Sequence, residues 1–182
     1  FVSTEQIRQS FGEDVAKLVQ GLINISSLYT KQAAVEDDNF HKLLFTFAED
    51  IRVIIIMIVD RLQLMRRINH HPDEKFVRDI SSEARYLYAP LAHRLGLYTI
   101  KSELEDLSLK YLNRKIYTQI AEKLNETKEV RDSYVTHFIE PIRERLQDSN
   151  IKFEIKGRTK SINSIWNKMK KKDVDLNEMY DL

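Results

Sequence analysis

The sequence contains no cysteine, which excludes disulfide bridges and thiolate metal ligands and is usual in a reducing cytosol. It has only 4 glycines and 3 prolines in 182 residues, which favours long helices joined by few tight turns. Its longest apolar run, Val53 to Val59, is far too short to cross a bilayer. We therefore expect a cytoplasmic protein with no membrane partner.

The net charge is also small. At +1 it gives no general attraction to nucleic acids or membranes, so anion binding would need a local cluster of cations. The content of 42% hydrophobic and 31% charged residues is typical of a globular protein. Because the first residue is Phe1 rather than Met, we expect the chain to begin inside a longer protein.

Apolar residues recur three or four positions apart through most of the first 146 residues, which predicts amphipathic helices. The segment from Ile51 to Ile68 is rich in Ile and Val and could be a buried strand, but its helical spacing continues without a breaker. We predict an unusually buried helix there. Pro141 lacks an amide hydrogen and disfavours a helix that runs through it. Other helices are predicted at 35–47, 100–112 and 116–130.

The pattern changes after Leu146. Ile151 to Ile155 alternate apolar and charged side chains, which predicts a half-exposed strand. Ser161 to Met169 have the spacing of a short helix. This end of the chain therefore indicates the beginning of a region that mixes strands and helices.

Asp60 follows the longest apolar run directly and is predicted to be buried. A buried carboxylate is costly unless it faces a cation, hydrogen-bond donors or a metal ion. One interpretation is a structural ion pair with Arg61, Arg66 or a residue of another helix; the other is a functional acid. The five histidines, His41, His70, His71, His93 and His137, form no ligand pattern that would complete a metal site.

A basic segment, Lys156 to Lys160, lies between the predicted strand and the predicted helix. Ser164 and Lys168 are four residues apart and can share a helix face with Lys160. A glycine and several cations that lead into a helix suit a polyphosphate, although charged connections are common and the second glycine of a P-loop is missing. Further on, Asp181 is either an ordinary turn residue or an acid that binds Mg²⁺ beside these phosphates.

Several segments, in order and spacing, resemble the RelA/SpoT homologue family, and the resemblance covers nearly the whole chain. These segments are Asp38–Leu44, Asp50–Val53, Asp60–Leu62, Tyr88–Gly96, Glu103–Ser108, Gly157–Ile165 and Tyr180–Leu182. The resemblance implies a stringent-response enzyme of (p)ppGpp metabolism. In that family a helical HD-type domain hydrolyses the 3′-pyrophosphate with Mn²⁺, and a nucleotidyltransferase-like domain transfers pyrophosphate from ATP to the 3′-hydroxyl of GTP or GDP.

By this resemblance the chain is mainly α. Residues 1–84 would be the C-terminal part of the hydrolase domain, 85–146 connecting helices, and 147–182 the first strand and helix of an α+β synthetase domain. Asp60 matches an Mn²⁺ ligand, and Asp181 a catalytic, Mg²⁺-binding acid. The matching phosphate-binding residues are Arg158, Lys160, Ser164 and Lys168. The implied partners are ATP, GTP or GDP, (p)ppGpp, and a ribosome that would bind other parts of such a protein.

The sequence also departs from the family pattern. Where the family has His-Asn-Met-Arg-Thr after Asp60–Leu62, this chain has Gln63, Leu64, Met65, Arg66 and Arg67. Leu64 cannot form the hydrogen bond of the Asn that holds the nucleotide, so a weakened hydrolase is expected. Thr159, Ser161 and Asn163 replace Pro, His and Tyr, but the cations are retained.

The other residues of both active sites are expected outside this chain, upstream of Phe1 and beyond Leu182. We therefore predict that these 182 residues alone catalyse neither reaction. The alternative from another functional class is a catalytically inactive helical module that senses nucleotides or transmits a signal.

Overall fold

A computed structural model describes residues 2–29, 50–126, 128–147, 149, 152–155 and 160–178. These residues are mainly helical, which confirms the mainly α part of the predicted fold class, and none of them forms a β-strand. The helix predicted at 35–47 lies outside the described residues. Of the helices in the described ranges, none is long and apolar enough to cross a membrane.

The chain divides by packing into two compact units, Phe1–Leu112 and Asn113–Leu182. The helices of the first unit are α1 (Thr4–Phe11), α2 (Glu13–Tyr29), α3 (Ile51–Arg67), α4 (Glu74–Glu83), α5 (Ala89–Arg94) and α6 (Tyr98–Leu112), with a 3₁₀ turn at Ile68–His70 and a π-helical turn at Ala84–Tyr88. Those of the second are α7 (Arg114–Glu126), α8 (Lys128–Gln147) and α9 (Ile162–Lys172), followed by a 3₁₀ turn at Leu176–Glu178.

The core of the first unit is built around α3. Its buried side chains recur at helical spacing and confirm the predicted buried helix: Val53, Ile54, Ile58, Leu62 and Met65. The side chain of Asp50 caps the helix by accepting a hydrogen bond from the backbone N–H of Arg52 at 2.9 Å. Gly21 of α2 lies so close that a Cβ there would be 2.8 Å from Cγ2 of Val53. The two helices therefore approach closely only because residue 21 lacks a side chain.

Helices α4 to α6 complete this core. Leu87, Tyr88, Leu91 and Leu104 are buried in the same cluster as α3. Residues 85–112 therefore pack with the preceding helices in one unit. The packing units do not test the domain boundaries at residues 84 and 146 that the family resemblance implies, so these boundaries stay a prediction.

The second unit has a smaller core, in which Ile120 of α7 and Ile165 of α9 are fully buried. The helix predicted over Ser161–Met169 is confirmed. The prediction for Pro141 was wrong, because α8 runs through it from Lys128 to Gln147. Proline removes one backbone hydrogen bond, and the remaining hydrogen bonds of this 20-residue helix hold it together despite that loss.

The strand predicted at 151–155 does not form within the described residues 152–155, which have no regular structure. Alternating apolar and charged side chains favour an extended backbone. A strand is stable, however, only when it is hydrogen-bonded to a neighbouring strand, and the described residues supply none.

Candidate functional site

Asp60 lies on the exposed face of α3, so its predicted burial was wrong. An α-helix turns by about 100° per residue, which places position 60 about 200° from the buried Ile58 and Leu62. The apolar run extends around the helix, and Ile55, Ile56 and Val59 are partly exposed beside Asp60. The carboxylate therefore projects from an exposed face that carries apolar side chains as well as the polar Gln63.

The arginines proposed as structural partners of Asp60 pair with other acids. Arg61 forms an ion pair with Glu83, and Arg66 forms one with Glu103. Asp60 makes no hydrogen bond or ion pair with any residue that the structure describes. The structural-pair interpretation is therefore wrong for the described part of the chain.

An exposed, unpaired carboxylate has the chemistry of one oxygen ligand for a divalent cation. The residues around it do not complete a metal centre, since no group of three or more His, Asp or Glu able to hold a metal occurs in the described ranges. In the described ranges Asp60 therefore offers an implied Mn²⁺ ion a single oxygen ligand.

Arg61 forms a cluster that the sequence reasoning missed. Its side chain is only 12% exposed, and its Nη2 lies 2.7 Å from Oε2 of Glu83. The same nitrogen donates a 3.2 Å hydrogen bond to the hydroxyl of Tyr88, and the guanidinium carbon lies 4.5 Å from the centre of that ring. A buried cation at this distance from an aromatic face is attracted to it. One signal was available in the sequence, because Tyr88 opens the specific Tyr88–Gly96 motif.

The C-terminal half of α3 is tied to α6 by two contacts. Arg66 donates two hydrogen bonds to the carboxylate of Glu103, at 2.6 and 2.7 Å. These hydrogen bonds, together with the charge of the guanidinium, lower the pKa of Glu103 below its usual value. The hydroxyl of Tyr111 donates to the backbone carbonyl of Met65 at 3.0 Å.

Leu64 packs against this core as a half-buried residue. Its side chain therefore belongs to the hydrophobic cluster of the first unit. Arg67, by contrast, is exposed at the end of α3. At the position where the family has a nucleotide-binding Asn, this chain carries a packing residue.

The basic segment predicted to bind phosphates precedes α9 in the sequence of the second unit. Ser161 caps the helix: its Oγ accepts from the backbone N–H of Ser164 at 3.3 Å and donates to Oγ of Ser164 at 2.9 Å. Ser164 and Lys168 are half-buried and one turn apart, whereas Lys160 is exposed just before the helix. The helix thus brings Ser164 and Lys168 to one face, as expected. Arg158 and Asp181 lie outside the described residues.

An open groove of about 400 Å³ lies in the same unit and was also missed. Its lining combines apolar and charged side chains. The lining residues include Ile116, Ile120, Lys123, Met169, Asp175 and Leu176. Sequence periodicity predicts the apolar faces of α7 and α9 but not the gap between them.

Residues 1–98 match the protein family described as the HD domain. The GTP pyrophosphokinase of Myxococcus xanthus is 37% identical over 98% of this chain. The guanosine-3′,5′-bis(diphosphate) 3′-pyrophosphohydrolase of Aquifex aeolicus is also 37% identical over 98%, and the GTP pyrophosphokinase of Escherichia coli strain K12 is 32% identical over 100%. The chain spans only 24 to 25% of the length of these relatives.

With this match covering more than half of its length, the chain belongs to the HD-domain family. Its similarity to both kinds of named enzyme supports the RelA/SpoT homologue family, and the resemblance seen in the sequence motifs is confirmed.

Proposed function

We propose that the whole protein makes the alarmone by transferring pyrophosphate from ATP to the 3′-hydroxyl of GTP or GDP. The observation that carries this proposal is the capped α9, which presents Ser164 and Lys168 on one face directly after a run of cations. Relatives that match nearly all of this chain bear the name GTP pyrophosphokinase. The proposal assigns the phosphate-handling role to Arg158, Lys160, Ser164 and Lys168.

In this reaction the 3′-oxygen of the acceptor bonds to the β-phosphorus of ATP. The bond from that phosphorus to the oxygen bridging the α- and β-phosphates breaks, and AMP leaves. The residues proposed here act mainly by holding the phosphates in line and by neutralising their charge. A Mg²⁺ ion held by Asp181 would add charge neutralisation at the phosphates when it is bound.

We propose a second, weaker activity at Asp60, the hydrolysis of the 3′-pyrophosphate. The exposed carboxylate would be one ligand of a Mn²⁺ ion. The packing of Leu64 into the hydrophobic cluster supports the weakness of this activity, because the position offers no hydrogen bond to a nucleotide. We therefore expect synthesis to exceed hydrolysis.

The test is a paired nucleotide assay on the longest form of the protein that can be expressed. One reaction contains ATP, GTP and Mg²⁺, the other contains alarmone and Mn²⁺, and the products of both are separated by chromatography. We expect pyrophosphate transfer in the first and slow or no hydrolysis in the second. If a folded protein is inactive in both, the non-catalytic sensing module becomes the better account. Rapid hydrolysis would contradict the role given to Leu64.

The 182-residue chain supplies the matching control. We expect it to be inactive in both reactions, because the proposal assigns further residues of each site to other parts of the protein. Turnover by a preparation that contains only these residues would contradict that expectation.

A further inference from the structure

We draw no further inference here: the strongest candidate, the exposed apolar stripe of Val130, Tyr134, Phe138 and Ile142 on α8 of the second unit, carries no proposal because nothing in the part of the chain that the structure describes shows what covers it.

Discussion

The two units differ in how completely they bury their apolar side chains. In the first unit one face of α3 packs against the other helices, and its core continues from Ile25 to Leu104. In the second unit the fully buried apolar residues of the described ranges are Ile120 and Ile165. Helix α8 meanwhile exposes a stripe at four-residue spacing: Val130, Tyr134, Phe138 and Ile142.

This contrast shows that helical periodicity predicts an amphipathic element but not whether its apolar face is covered. The stripe on α8 has the four-residue spacing of Ile54, Ile58 and Leu62 on the buried face of α3. Tyr134 stacks on Phe138 with 6.2 Å between the ring centroids. Burial depends on a neighbouring element. The first unit supplies such neighbours from its own helices, and for this reason we expect it to respond more strongly to core substitutions.

The largest effect is expected in the first unit. Ile58→Ala removes a fully buried side chain and should lower the free energy of unfolding by about 3–5 kcal/mol, because tightly packed neighbours cannot fill the cavity. Ile55→Ala, on the exposed side of the same helix, should cost less than about 1 kcal/mol. Chemical denaturation of both variants measures the difference. Equal costs would contradict the assigned orientation of α3.

A similar pair sharpens the comparison within the second unit. Ile120→Ala should cost about 2–3 kcal/mol, toward the lower end of the range for buried isoleucine, because the small core can collapse around it. Phe138→Ala, at a residue that is 60% exposed, should change stability by no more than about 0.5 kcal/mol. A loss above about 2 kcal/mol at Phe138, measured in the same denaturation experiment, would show that the stripe is covered in the whole protein.

Gly21 tests the closest helix contact in the first unit. Gly21→Ala should destabilise by about 1–2 kcal/mol, because the overlap with Val53 outweighs the gain in helix propensity. Adding Val53→Ala to this variant removes the overlap, so the two changes should cost less together than the sum of their separate costs. A Gly21→Ala protein with a higher melting temperature than the wild type would show that the helices can separate without loss.

The smallest effect is expected at Glu103. Its pKa is lowered by Arg66, so the pair stabilises the fold above the usual carboxyl pKa, and this contribution is lost as the pH falls through the lowered value. Glu103→Gln should therefore lower the melting temperature slightly near neutral pH and have no effect in strong acid. Melting curves across the acid range measure this. A difference that grows toward low pH would contradict the sign of the shift.

The sequence predicted the helical class, the buried helix α3, the helix α9 and the family. It failed at Asp60, because the apolar run covers α3 on nearly all sides and gives no indication of which side is buried. It failed at Pro141 because one lost hydrogen bond is small beside the many that the rest of α8 forms. The Arg61 cluster could not be predicted, since it depends on a π-helical turn that brings Glu83 and Tyr88 together.

The most direct test of the functional account compares pyrophosphate transfer from ATP to GTP by the full-length protein and three variants. Lys168→Met alters the face of α9 that is proposed to bind phosphates. Lys170→Met alters an exposed lysine of the same helix that lies 5.3 Å from the Trp166 ring, and Asp60→Asn alters the first unit. We predict that transfer falls at least about 100-fold in Lys168→Met, the size of effect seen when a hydrogen-bond donor that stabilises transition-state charge is removed. In the other two variants the transfer rate should stay within about 3-fold of the wild-type rate. Undiminished transfer by Lys168→Met, or its loss in Asp60→Asn, would contradict the assignment of synthesis to the second unit.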